Sequence, residues 1–82
     1  MKDGSAEQFY AVKAHNLRRV HRMLAEAADL LYDLGTVEWN ASGAVDDDLT
    51  GLQTAVEAAR QTARVNVEDV EGLLEYAGGM GR

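Results

Sequence analysis

Eighty-two residues, 46% of them hydrophobic, with no cysteine and no proline, bound one small domain that no disulfide can staple. The formal net charge of −6 argues against nonspecific DNA binding by the molecule as a whole. No stretch approaches the roughly 20 apolar residues of a membrane span, and Met1-Lys2-Asp3-Gly4-Ser5 lacks the apolar core of a secretory signal. The chain therefore reads as cytoplasmic, or as exported by a machine that needs no signal peptide.

The first predicted element is a helix over about 5–34. Ser5-Ala6-Glu7-Gln8 fits a capping box, in which the Ser5 hydroxyl and the Gln8 amide satisfy each other's backbone donors. Nothing breaks the helix before Gly35, which suits a C′ position because glycine tolerates positive φ. A loop over 35–45 follows, rich in turn-compatible residues and carrying the only tryptophan, Trp39. Asp46, Asp47 and Asp48 then place negative charge at the positive end of a second helix dipole. That helix is predicted over about 45–77, with Gly78-Gly79 stopping it and 78–82 as a tail. Asn66-Val67-Glu68-Asp69 also resembles an N-cap with acidic followers, so a break near Val65 competes with one continuous helix.

Two apolar stripes run through these helices. One is Tyr10, Leu17, Val20, Leu24, Ala27, Leu31 and Leu34; the other is Leu49, Leu52, Val56, Ala59, Ala63, Val70 and Leu73. Folding the chain at Ala41–Ser42 sets Leu34 against Leu49, Leu31 against Leu52, Ala27 against Val56 and Leu24 against Ala59. The same fold point also sets Val20 against Ala63 and Tyr10 against Leu73. An antiparallel two-helix hairpin, an all-α fold, follows from that mirror symmetry. Asn66 falls on the same stripe, opposite Leu17. Phe9, Met23 and Leu30 flank the first stripe on one side, with Ala14 and Ala28 on the other; Val67 and Leu74 flank the second. A lone hairpin leaves such flanks wet, and dimerisation into a four-helix bundle would cover them. Phe9, Met23, Leu30, Val67 and Leu74 are thus the expected partner-binding residues.

Trp39 carries two readings. It either plugs the open end of the hairpin, or stands exposed as an anchor for a partner, since tryptophan is enriched at binding hot spots. A long helix, the segment Trp39-Asn40-Ala41-Ser42-Gly43 and a second long helix resemble the WXG100 family of type VII secretion-associated proteins, in which a Trp-x-Gly turn joins the helices of a hairpin. The resemblance implies pairing of the hairpin with itself or with a related hairpin. In this chain Ala41 stands at the motif's glycine and Gly43 is the nearest glycine. The family's export signal places an acidic residue four after a tyrosine; Tyr76 is followed at that distance by Met80, which implies the partner lacking the signal.

Lys13, Arg18, Arg19, Arg22, Arg60 and Arg64 fall in one zone of the hairpin, a basic belt between acidic ends. A solvated face with pairs such as Arg22–Glu26 and Glu57–Arg60 explains it, and so would a belt that orients two hairpins. Aromatic residues do not interleave with it and no helix-turn-helix spacing is present, so nucleic-acid binding is not expected. His15 and His21 are six apart with no third ligand, and read as solvent-exposed; Tyr10 and Tyr32 read as packing residues with wet hydroxyls. There is no CxxC, HExxH or ExxH, and no nucleophile beside a base, so neither metal, cofactor nor catalysis is expected. The resulting expectation is a non-catalytic protein–protein interaction module, WXG100-like, acting as a homo- or heterodimer. The alternatives are a structural or assembly subunit, as in a phage or particle, and a small regulator that holds an acidic partner through the basic belt.

Overall fold

Forty residues wind into helix α1 (Asp3–Ser42) and thirty-four into helix α2 (Asp47–Met80), which pack side by side along their lengths. The computed structural model describes the backbone of residues 3–80 and the side chains of 5–79. The result is an antiparallel helical hairpin measuring 61 × 16 × 14 Å. Its radius of gyration is 18.3 Å, against about 12 Å for a compact globule of this length.

α1 is longer at both ends than the sequence suggests. It is already helical at Asp3, so Ser5 lies inside its first turn and the Ser5–Gln8 box is not the start. It also runs through Gly35, which is buried inside the helix. The reason lies across the interface. A β-carbon on Gly35 would come within 2.9 Å of the Gln53 Nε2 atom, and that amide donates to the Leu31 carbonyl at 2.8 Å. Gly35 is therefore a close-approach glycine that lets a polar side chain cap the groove floor. Gln53→Ala is expected to cost about 1 kcal/mol in urea unfolding. In a Gly35→Ala background, where the amide is already displaced, the same substitution should cost close to nothing.

The chain reverses at Gly43, with φ of 75°. Its amide donates to the Trp39 carbonyl at 2.7 Å, the single bond of a left-handed helix cap. The Ser42 hydroxyl lies 2.9 Å from the Glu38 carbonyl and 3.0 Å from that of Ala44. The Asp46 amide donates to Glu38 Oε1 at 3.2 Å, while the Asp46 carbonyl accepts from the Thr50 amide at 3.0 Å and opens α2. The turn thus lies at 43–46 instead of at Ala41–Ser42. A β-carbon at Gly43 meets no neighbour, so Gly43→Ala isolates the backbone penalty. That substitution should destabilise by about 1–2 kcal/mol, measured by thermal or urea unfolding.

α2 is continuous through Asn66 and does not stop at Gly78-Gly79. Of the expected tail, residues 78–80 are helical and 81–82 lie outside the described residues.

The seam keeps half of each expected stripe and replaces the other half. On α1 the buried or half-buried residues include Tyr10, Ala14, Leu17, His21, Leu24, Ala28, Leu31, Gly35 and Glu38. On α2 they include Leu49, Gln53, Val56, Arg60, Ala63, Val67, Val70, Leu74 and Ala77. Both sets alternate steps of four and three, which is a heptad seam. Tyr10, Leu17, Leu24 and Leu31 belong to it as expected, as do Leu49, Val56, Ala63 and Val70. Val20, Leu34, Leu52 and Leu73 do not: all are exposed, as are Ala59 and Asn66. The helix surface next to each retained row offers two choices, three residues on or four. The hairpin takes the fourth, which supplies Ala14, His21, Ala28 and Gly35 on α1 and the long stems of Gln53 and Arg60 beside Val67 and Leu74 on α2. Small against long lets the two backbones approach while the polar tips reach the groove edge. Ala14 is 0% exposed and Leu31 8%, the centre of a thin core.

Candidate interaction surfaces

A heptad seam between antiparallel helices has two distinct sides. The residues that follow Leu17, Leu24, Leu31 and Glu38 (Arg18, Ala25, Tyr32, Trp39) lie on the same side as those that follow Val56, Ala63 and Val70 on α2 (Glu57, Arg64, Glu71). The hollows between the helices show this: one is lined by Arg18, Ala25, Arg64 and Glu71 among others, a second by Tyr32 and Glu57. Arg18 Nε lies 2.9 Å from Glu71 Oε2 across this side, with both side chains nearly half exposed. A pair that open to solvent contributes about 0.2–1 kcal/mol.

The opposite side carries Val20, Ala27 and Leu34 of α1 beside Leu52, Ala59 and Leu73 of α2. All but Ala27, which is half-buried at the seam's edge, are stripe residues that the seam left exposed. Met23, Leu30 and Val37 extend it outward along α1, again at steps of three and four. From Val20 to Ala41 this second stripe is unbroken: Val20, Met23, Ala27, Leu30, Leu34, Val37, Ala41. Leu34 is 53% exposed and Leu30 66%. α1 thus has two apolar faces roughly 100° apart, only one of which α2 covers.

The expected partner-binding residues divide accordingly. Met23 and Leu30 lie on the exposed apolar side, and Phe9 is exposed on the same helical row nearer the terminus, its ring edge-on to Tyr10 at 5.4 Å and 5.9 Å from Lys13 Nζ. Val67 and Leu74 are half-buried seam residues, because a two-helix fold has nothing but α1 to bury them. Trp39 sits in the last turns of α1 and is 60% exposed, so in the hairpin it does not act as a plug. Tyr32 is exposed rather than packed, and His21 is half-buried in the seam whereas His15 is exposed.

The six residues of the basic belt do fall in one axial zone, but not on one face. Arg18 and Arg64 line the same groove with Arg22, Arg19 points outward, and the Arg60 stem lies in the seam with its tip 3.6 Å from Glu57. Arg22 and Glu26 form no ion pair. Charge is instead segregated along the long axis. Between Met23 and Ala59 there is no Lys, Arg or His, and eight carboxylates: Glu26, Asp29, Asp33, Glu38, Asp46, Asp47, Asp48 and Glu57. Among the described residues, Lys13, Arg18, Arg19, Arg22, Arg60 and Arg64 all lie in the other half.

Among the described residues no group of three or more His, Cys, Asp and Glu could hold a metal ion, and no helix is long and apolar enough to cross a membrane. No protein-family model, curated protein or solved structure matches this chain.

Proposed function

We propose that this chain is a non-catalytic interaction module whose exposed apolar side is covered by a second helical hairpin, another copy of itself in the first instance. One observation carries the reading: the unbroken second heptad stripe from Val20 to Ala41, on the side of the hairpin that also exposes Leu52 and Leu73. Area supports it. The hairpin exposes 6090 Å², about 1,300 Å² more than a compact chain of 8.9 kDa. A stable interface takes about 800 Å² from each partner. Stacking two such sides gives a four-helix bundle, the arrangement that the WXG100 resemblance implies for a secretion-associated protein of this kind.

The absence of cysteine makes the arrangement testable with a single engineered thiol. Leu30→Cys should give a disulfide-linked dimer under mild oxidation, whereas Thr50→Cys, on the far side, should stay monomeric in denaturing electrophoresis. Equal cross-linking of the two would refute the assigned side.

A further inference from the structure

On the other side of the hairpin, away from the apolar stripe, Tyr32 and Trp39 stand two turns apart over the buried Gly35. Between them is a notch of about 280 Å³, completed by Thr36, Val45 and Gln53. A second hollow of about 240 Å³ lies across the Tyr32 ring, walled by Glu57 and again by Gln53. Both rings are largely solvent-exposed, Tyr32 at 74%, so nothing in the hairpin uses their faces. Glycine at 35 leaves room for the Gln53 amide at the floor, since a β-carbon there would come within 2.9 Å of its Nε2.

Three features of this notch suit the same chemical group. The faces of an indole and a phenol attract a cation, more so when it is partly removed from water. Gln53 spends its Nε2 donor on the Leu31 carbonyl, and its Oε1 has no hydrogen-bond partner among the described residues. The Gln53 amide, with that oxygen still free to accept, lines both hollows. The surrounding half of the molecule carries eight carboxylates and no base, and Glu57 stands at the edge of the second hollow. A donor-rich cation fits all three; an anion fits none of them, and a neutral apolar side chain leaves the acceptor and the field unused.

We propose that the Tyr32–Trp39 notch binds an arginine or lysine side chain from a basic segment of a partner protein. The volume holds one such side chain, not a folded element, so the segment docks by one or two cations along the groove. Guanidinium is the better match, because it stacks on an aromatic face and donates in a planar fork. This surface is independent of the apolar side, so its loss leaves the dimer mass unchanged.

Trp39 is the single tryptophan and reports on its own site. The probe is an acetylated, amidated Gly-Arg-Gly-Arg-Gly peptide, with its citrulline counterpart of equal size and no charge. The arginine peptide should change Trp39 emission saturably, and the citrulline peptide should bind at least about tenfold more weakly. Tyr32→Ala, an exposed position, should weaken arginine-peptide binding about fivefold with unchanged helicity, and added salt should weaken it further. Equal binding of the two peptides, an unchanged Tyr32→Ala variant or no saturable response would each overturn the proposal. So would an emission change on diluting the protein alone, which would mean that a second copy fills the notch.

Discussion

Leu31→Asp is expected to unfold the hairpin at every protein concentration. Leu31 is among the few buried apolar side chains and lies beside the Gln53–Leu31 bridge. Removing it forfeits roughly 2 kcal/mol of burial, and a carboxylate in its place must be desolvated or protonated at a cost of several more. A domain of this size holds about 4–12 kcal/mol in total, and a thin two-helix core belongs at the low end. The measurement is helicity by circular dichroism across a concentration series. A variant as helical as the parent would mean that the seam does not pass through Leu31.

Leu34→Asp, three residues further along the same helix, is expected to behave in the opposite way. Leu34 lies outside the seam and on the uncovered stripe. The substitution should leave the hairpin fold in place and raise the dimer dissociation constant by more than about a hundredfold, since each dimer loses two buried leucines and gains two opposed carboxylates. The pair is decisive because the two residues share one stripe in the sequence. If Leu34→Asp costs as much helicity as Leu31→Asp, the rotated seam is incorrect.

How far the chain can be read without coordinates depends on the element. The hairpin is legible, because both helices carry apolar residues that repeat at seven; the pairing about Ala41–Ser42 is not, since it sets Leu31 against Leu52, Leu24 against Ala59 and Leu49 against Leu34, and Leu52, Ala59 and Leu34 are exposed. Which neighbouring row completes the seam is not legible from hydrophobicity. Val20, Leu34, Leu52 and Leu73 are more apolar than Ala14, Gly35, Gln53 and Arg60, yet the structure buries the second set against the other helix. Periodicity scores one face of a helix, and α1 has two adjacent apolar faces that share a leucine row. Size gives only a partial signal: Ala14, Ala28 and Gly35 permit close approach, but His21 stands in the same row, and Val67 and Leu74 stand with Gln53 and Arg60 across the seam.

The turn was masked for a related reason. Gly35 looks like a helix stop, but a glycine inside a helix can equally mark a place where another side chain must pass, and Gln53 passes there. Gly43, with its positive φ, is the real stop. Extending α1 by eight residues, from 34 to 42, also moves Trp39 from a loop onto the helix, where it joins Tyr32 on one row and forms the notch. The basic belt was legible as an axial zone, while the division of its members among three faces depended on the seam rotation.

Coverage of the apolar side by a second copy is tested most directly by the mass in solution. Light scattering over a concentration series, at low and high salt, should give twice the 8.9 kDa chain mass at both salts, because the contact is chiefly apolar. A fully helical monomer at tens of micromolar would contradict it.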